Sequence, residues 1–249
     1  MAAIDLTSLR AVVLDTDGVV TDTARVHAAA WKHVFDGFLR GRSAPFDIRA
    51  DYLRSVDGRP RLDGVRTFLA ARGISLPEGG PDDEPGAPTV HGLGMAKDAL
   101  FVRQIAEHGV AAFPSTVALL HELRHRGCRT AVVSPSRHCH AVISSSGLMH
   151  LFDVLVDGND AARLGLPGKP DPALFAEVAR RLGLPAPEVA IVDDALPGVE
   201  AGHRGGFGFV LAVDRSRTQA AAMSRAGADA VVTDLAELSV TGRVPVGRR

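Results

Sequence analysis

"AVVLDTDGVVTDT", residues 11–23, decides how this chain folds. Its first four residues, Ala11-Val12-Val13-Leu14, are apolar without alternation and too few for a helix, which reads as a strand buried on both faces. The run ends in two carboxylates, Asp15 and Asp17, one residue apart, followed by Gly18, which lets the chain turn without steric cost. In open α/β sheets the reactive groups collect beyond the carboxyl ends of the strands, and this stretch has that form.

Outward from it, short apolar runs recur at residues 130–133, 154–156, 189–192, 207–213 and 230–232. Between them lie segments of helical period. In "DPALFAEVARRLG", residues 171–183, Asp171 can cap, Pro172 suits a first turn, and Phe175, Val178, Ala179 and Leu182 form one apolar face. Alternating strand and helix predict a parallel sheet covered by helices. The alternation lapses from about residue 27 to residue 110, where the spacing of Trp31, Val34, Phe35, Phe38 and Leu39 predicts an amphipathic helix. Further helices are expected over about 61–72 and 97–108, joined by the Pro/Gly/Asp-rich loop 76–88. The expected architecture is therefore α/β: a Rossmann-like parallel-sheet core, residues 1–26 and 111–249, with an inserted all-helical cap domain at 27–110. Asp22 reads as the cap of the long helix, and the tail "TGRVPVGRR", residues 241–249, as a frayed end.

At 249 residues and 46% hydrophobic the chain can bury a full core. Lys plus Arg total 28 against 29 Asp plus Glu, so the near-zero net charge gives nucleic acid or an anionic membrane no general purchase. A small soluble substrate is the expected partner, and a monomer is expected. Two cysteines, Cys128 and Cys139, and an amino terminus without a basic and apolar leader point to a cytoplasmic, reducing setting.

Asp15, Ser134 and Asp193-Asp194 each follow a predicted strand, so positions far apart in sequence can converge. Carboxylates gathered at one point repel unless a cation joins them, and hard oxygen donors suit Mg²⁺. Lys169, in "GKPDP" before a helix, can neutralise a phosphoryl group or a nucleophile. Singly these are a turn pair, a turn serine and a solvated lysine; their order gives them weight. "RHCHA", residues 137–141, does not read as a metal site, because neighbours on a helix point different ways.

Taken in order, "DTDGVVTDT", "VVSPS", "GKPDP" and "VDDALPGVEA" resemble the four motifs of the haloacid dehalogenase superfamily, and the insertion resembles its helical-cap subfamily. The resemblance runs from about Val12 to Asp214. It implies that Asp15 is the nucleophile that forms an aspartyl-phosphate and Asp17 the general acid/base. It further implies Mg²⁺ held by Asp15, the Asp17 carbonyl, Asp194, and Asp193 directly or through water, with phosphoryl oxygens held by Ser134 and by backbone N–H groups near Thr16 and from Pro135 to Ser136. Thr16 replaces a usually apolar residue, and Pro135 removes an N–H common in the family.

Mutases and phosphatases of the family share this core and differ in whether the cap admits water. Arg61 and Lys97 match the mutases' cap arginine and lysine, Arg137 stands where they carry another cation beside Ser136, and His27 matches a histidine at their hinge. The expectation is a Mg²⁺-dependent phosphosugar mutase interconverting β-glucose 1-phosphate and glucose 6-phosphate, with a sugar-phosphate phosphatase as the alternative. Extra length around residues 41–52 and 76–93 leaves the sugar open.

Overall fold

The computed structural model describes residues 2–245. It divides into two compact units: the chain up to Asp22 together with the chain from Ala111 onward, and Thr23–Val110.

The first unit opens with β1 (Ala3–Asp5) and β2 (Ala11–Asp15) and resumes after the helical unit with α4 (Pro114–His125), β3 (Arg129–Val133), α5 (Cys139–Ser145), β4 (Val154–Val156), α6 (Gly158–Leu164), α7 (Ala173–Leu182), β5 (Val189–Asp193), α8 (Leu196–Arg204), β6 (Phe209–Val213), α9 (Ala220–Arg225), β7 (Ala230–Val232) and β8 (Ser239–Thr241). Six strands form a parallel sheet in the order β4-β3-β2-β5-β6-β7. Because strand side chains alternate, β2 feeds both faces: Val12 and Leu14 pack with Leu120 and Leu123 of α4, Val13 with Phe175 and Val178 of α7. With β3 on one side of β2 and β5 on the other, Asp15 lies at a topological switch point. α7 begins at Ala173, whose N–H donates to the Asp171 carboxylate at 2.9 Å; Pro172 stands at the cap position rather than in the first turn, and the four expected apolar positions are buried.

The helical unit holds α1 (Ala24–Leu39), α2 (Arg61–Ala71) and α3 (Val90–His108). Trp31, Val34, Phe35 and Leu39 of α1 pack with Phe68 and Leu69 of α2 and Leu93 of α3. Phe46, from the loop after α1, completes that core with its ring 5.3 Å from Phe35. The loop is fastened at both ends: Phe46 N–H donates to Asp36 at 2.7 Å, and Arg72 pairs with Asp51 at 2.5 Å.

Several expectations need correction. The third helix starts at Val90, not near Lys97, capped by the Thr89 hydroxyl, which accepts the Gly92 N–H at 2.9 Å. Gly92 and Gly94 weaken the helical pattern there, yet both are demanded by packing: a Cβ on Gly92 would stand 2.5 Å from the Ala87 carbonyl, and one on Gly94 2.9 Å from Leu62. Asp22 precedes the cap position, which is Thr23, because its N–H pairs with the Ala111 carbonyl across the returning chain. The tail is not frayed at its start: Ser239–Thr241 pairs with Ala3–Asp5, and the Val244 N–H reaches the Arg126 carbonyl. Residues 246–249 of that tail lie outside the described residues. Among the described residues no helix is long and apolar enough to cross a membrane.

Candidate active site

β2 and β3 pair with Asp15 opposite Val133, and β2 and β5 with Leu14 opposite Val192, so Asp15, Ser134 and Asp193 leave the sheet at one level. All three are buried. Between them lies Lys169, its side chain wholly enclosed, its ammonium donating to Asp15 and, at 2.6 Å, to Asp193, with the Phe175 ring 5.1 Å away. Asp193's other oxygen accepts the Ala195 N–H at 2.9 Å, ahead of α8. Gly198 makes room for that carboxylate, since a Cβ there would stand 1.9 Å from it.

The turn after β2 brings in Asp17, beside Asp194 from the end of β5. The Asp17 N–H donates to Asp15 at 3.0 Å, which fixes the two carboxylates' common origin. Gly18 has φ +80°, and a Cβ on it would stand 1.7 Å from an Asp194 oxygen; the glycine is needed both for its backbone angle and for the space it leaves. Burial pushes Asp15 up to about 8; Lys169 pulls it down, and Asp193 and Asp17 push it up. Burial alone would lower Lys169, but Asp15 and Asp193 outweigh it and raise its pKa, so the ammonium is retained.

The backbone N–H groups at the expected oxyanion positions are engaged as follows. The Thr16 N–H is spent on the Val133 carbonyl at 3.0 Å and cannot serve a phosphoryl group, because β2 and β3 extend their pairing by one residue there. The donor beside Asp15 is the Asp17 N–H. Thr16's hydroxyl is satisfied by the same carbonyl at 3.1 Å and by the Cys139 thiol at 3.2 Å, which explains how a polar residue occupies this buried position. Beyond Pro135, the Ser136 N–H donates to the Ser134 hydroxyl at 3.0 Å, a side chain that can turn away where a strand carbonyl cannot. Arg137 is exposed, its carbonyl held by Asn159 at 2.9 Å. Gly158 lets this loop close, since a Cβ would stand 2.4 Å from the Pro135 carbonyl. Neither Gly158 nor Asn159 stands out in the sequence; "DGND" after a strand is their only signal.

In the helical unit, Lys97 is buried with its ammonium 2.6 Å from His27 Nδ1 and over the rings of Phe101 (4.6 Å) and Trp31 (5.5 Å). His27 stacks on Phe101 at 4.0 Å. An ammonium can only donate, so Nδ1 accepts. Arg61 pairs with Asp98, the neighbour of Lys97, at 2.7 Å. Thus Asp15, Asp17, Ser134, Ser136, Lys169, Asp193 and Asp194 lie together in one unit, and His27, Lys97 and Arg61 lie on facing helices of the other.

The sequence profile of the haloacid dehalogenase-like hydrolases matches residues 9–206. The chain belongs to that family. A β-phosphoglucomutase of Mycobacterium tuberculosis is 41% identical over 239 residues, 92% of this chain and 91% of that one. A phosphorylated carbohydrates phosphatase of Thermotoga maritima is 26% identical over 226 residues, 90% of this chain and 94% of that one. The crystal structure of a β-phosphoglucomutase from Clostridium difficile superposes with TM-score 0.72 at 20% identity, covering 92% of each chain. This member of the family is a phosphoryl-transfer enzyme, a phosphosugar mutase or phosphatase.

The site's donors fit a divalent cation. Lys169 is paired with Asp15 and Asp193, while Asp17 and Asp194 add two further carboxylates at the same strand ends; burial first, and then the charges of Asp193 and Asp17, push Asp15 up. Among the described residues no three acidic, His or Cys side chains form a ready coordination shell.

Proposed function

We propose that this chain is a phosphosugar mutase that converts β-glucose 1-phosphate to glucose 6-phosphate through a bisphosphate. The observation that carries the reading is Lys97: a buried ammonium braced by His27 and two aromatic rings, with Arg61 on the adjacent helix. Burying a cation is costly, and a second set of cations is of use to an enzyme that must hold a second phosphate. The mycobacterial relative's name supports the same reading.

In this proposal an Asp15 oxygen attacks phosphorus, the bond from phosphorus to the sugar oxygen breaks, and Asp17 gives its proton to that oxygen. Asp17 then takes the proton of the incoming hydroxyl as that oxygen attacks the aspartyl-phosphate and releases Asp15. Lys169 pulls Asp15 toward its ionised form and balances the charge developing on the phosphoryl oxygens, for which the N–H groups of Asp17 and Ser136 are the donors in this proposal. Mg²⁺, when bound at Asp15, Asp194 and the Asp17 carbonyl, supplies further neutralisation of the phosphoryl charge. Asp193, with both oxygens engaged by Lys169 and Ala195, supports this set from behind.

The test is ³¹P NMR with Mg²⁺, β-glucose 1-phosphate and a trace of glucose 1,6-bisphosphate. Glucose 6-phosphate with little free phosphate is expected, and Asp15→Asn should abolish it in a folded protein. Free phosphate matching substrate loss would instead favour a phosphatase, the activity named for the Thermotoga relative.

A further inference from the structure

We infer that Arg215 is a positioning residue for phosphoryl transfer, acting through the backbone of Gly18. Its Nε donates to the Gly18 carbonyl at 2.8 Å, Nη1 pairs with Asp234 at 2.7 Å, and its guanidinium lies 3.6 Å from the centre of the Phe113 ring. Nη2 is buried without a hydrogen-bond partner, so the cation is held by the ring face and by the two acceptors that fix its direction.

The loop bearing Arg215 is built to hold it. Asp214, buried, accepts the Ser216 hydroxyl and the Gln219 N–H, each at 2.7 Å. Arg217 adopts φ +59°, a left-handed conformation that a side-chain-bearing residue keeps only where its surroundings enforce it. This loop follows β6, two strands away from β2 in the sheet, yet its arginine reaches the catalytic turn.

Gly18 is the point through which the acids are set relative to one another. Its N–H donates to the Thr21 carbonyl at 2.8 Å, its Cα faces the Asp194 carboxylate, and the peptide before it carries Asp17, whose own N–H is fixed on Asp15. Holding the Gly18 carbonyl therefore fixes the orientation of Asp17 and the room left for Asp194 together. A displacement of a fraction of an ångström in such a constellation is expressed in turnover more than in substrate affinity.

This inference rests on Asp17 as the acid/base, so the experiment carries Asp17→Asn beside Arg215→Ala and Arg215→Lys, each with kcat, KM, the pH profile of kcat and a thermal melt. Arg215→Ala should lower kcat at least about tenfold with KM for the sugar phosphate within about twofold, and Arg215→Lys, which can reach the Gly18 carbonyl, should recover part of the loss. An unchanged kcat in folded Arg215→Ala, or a raised KM with kcat kept, overturns the inference. Should that variant not fold, Phe113→Leu and Asp234→Asn each remove one support of the guanidinium, and unchanged kcat in both overturns it equally. Full turnover by Asp17→Asn would sink the acid/base assignment, a result separable from any behaviour of Arg215.

Discussion

Replacing Lys169 by Met exposes the electrostatics of the site most directly. The ammonium is wholly enclosed and joins two buried carboxylates, so its removal leaves Asp15 and Asp193 facing each other without a cation. Breaking a buried ion pair from one side costs about 3–5 kcal/mol. Spread over a chain of this size, that is a fall in Tm of roughly 8–16 °C. The sign with pH is fixed as well. A carboxyl raised in the folded state binds more protons than in the unfolded state, so the variant's stability falls as pH rises from the unfolded pKa toward the raised folded one. The deficit relative to the parent, whose own Asp15 is raised to about 8, should thus be small near about pH 4.5 and widen as pH rises through neutrality toward and past about 8. Urea melts of both proteins across that range measure it, and turnover should drop at least about 10²-fold, as for loss of one preorganised charge stabiliser. Equal melting curves at acid and neutral pH would refute the account, since they would mean that Lys169 compensates no buried charge.

Gly18→Ala should cut kcat at least about tenfold while costing only about 1–2 kcal/mol of stability, because the methyl both strains a left-handed residue and displaces Asp194; wild-type turnover would show that neither φ nor the Asp194 position matters. Glu177 accepts from Arg180 at 2.7 and 2.8 Å and from Arg181 at 2.7 Å, and these bonds lower its pKa from 4.5 to about 2. With the exposure of Arg180 discounted, Glu177→Gln should cost on the order of 2 kcal/mol at neutral pH, a deficit that vanishes as pH falls from about 4.5 toward 2, where parent and variant melts converge; curves that stay parallel would contradict it.

What the sequence disclosed follows from the range of the forces involved. The sheet was legible because each buried strand is a local apolar run, and the site because its motifs sit where those runs end, at Asp15, Ser134 and Asp193. The pairing of β1 with β8 was not, since two three-residue strands more than two hundred positions apart carry no local pattern and gain their stability from a chain reversal that only the whole fold supplies. The start of α3 was hidden because Gly92 and Gly94 oppose helix by propensity, while close approach of Ala87 and Leu62 requires them. Phe46 carries no helical or strand spacing, and it is core because its ring packs against Phe35 and Phe68.

The same distinction separates the motif residues from those that hold them in place. A nucleophile or an ammonium must be a given residue type at a given strand end, so its chemistry is written in one position. A support such as Arg215, Asn159 or Gly198 is needed only for where an atom or an empty space falls, and any stretch of chain can supply that. Gly198 is the clearest case: it sits inside a recognisable motif, yet its purpose appears only when a Cβ placed on it meets the Asp193 carboxylate. The acids of this site are therefore gathered by motif but set at their working separations by positions whose purpose shows only in the packing, inside a motif or outside it, and it is there, in Gly18, Gly198 and Arg215, that conservative substitutions should separate catalysis from stability.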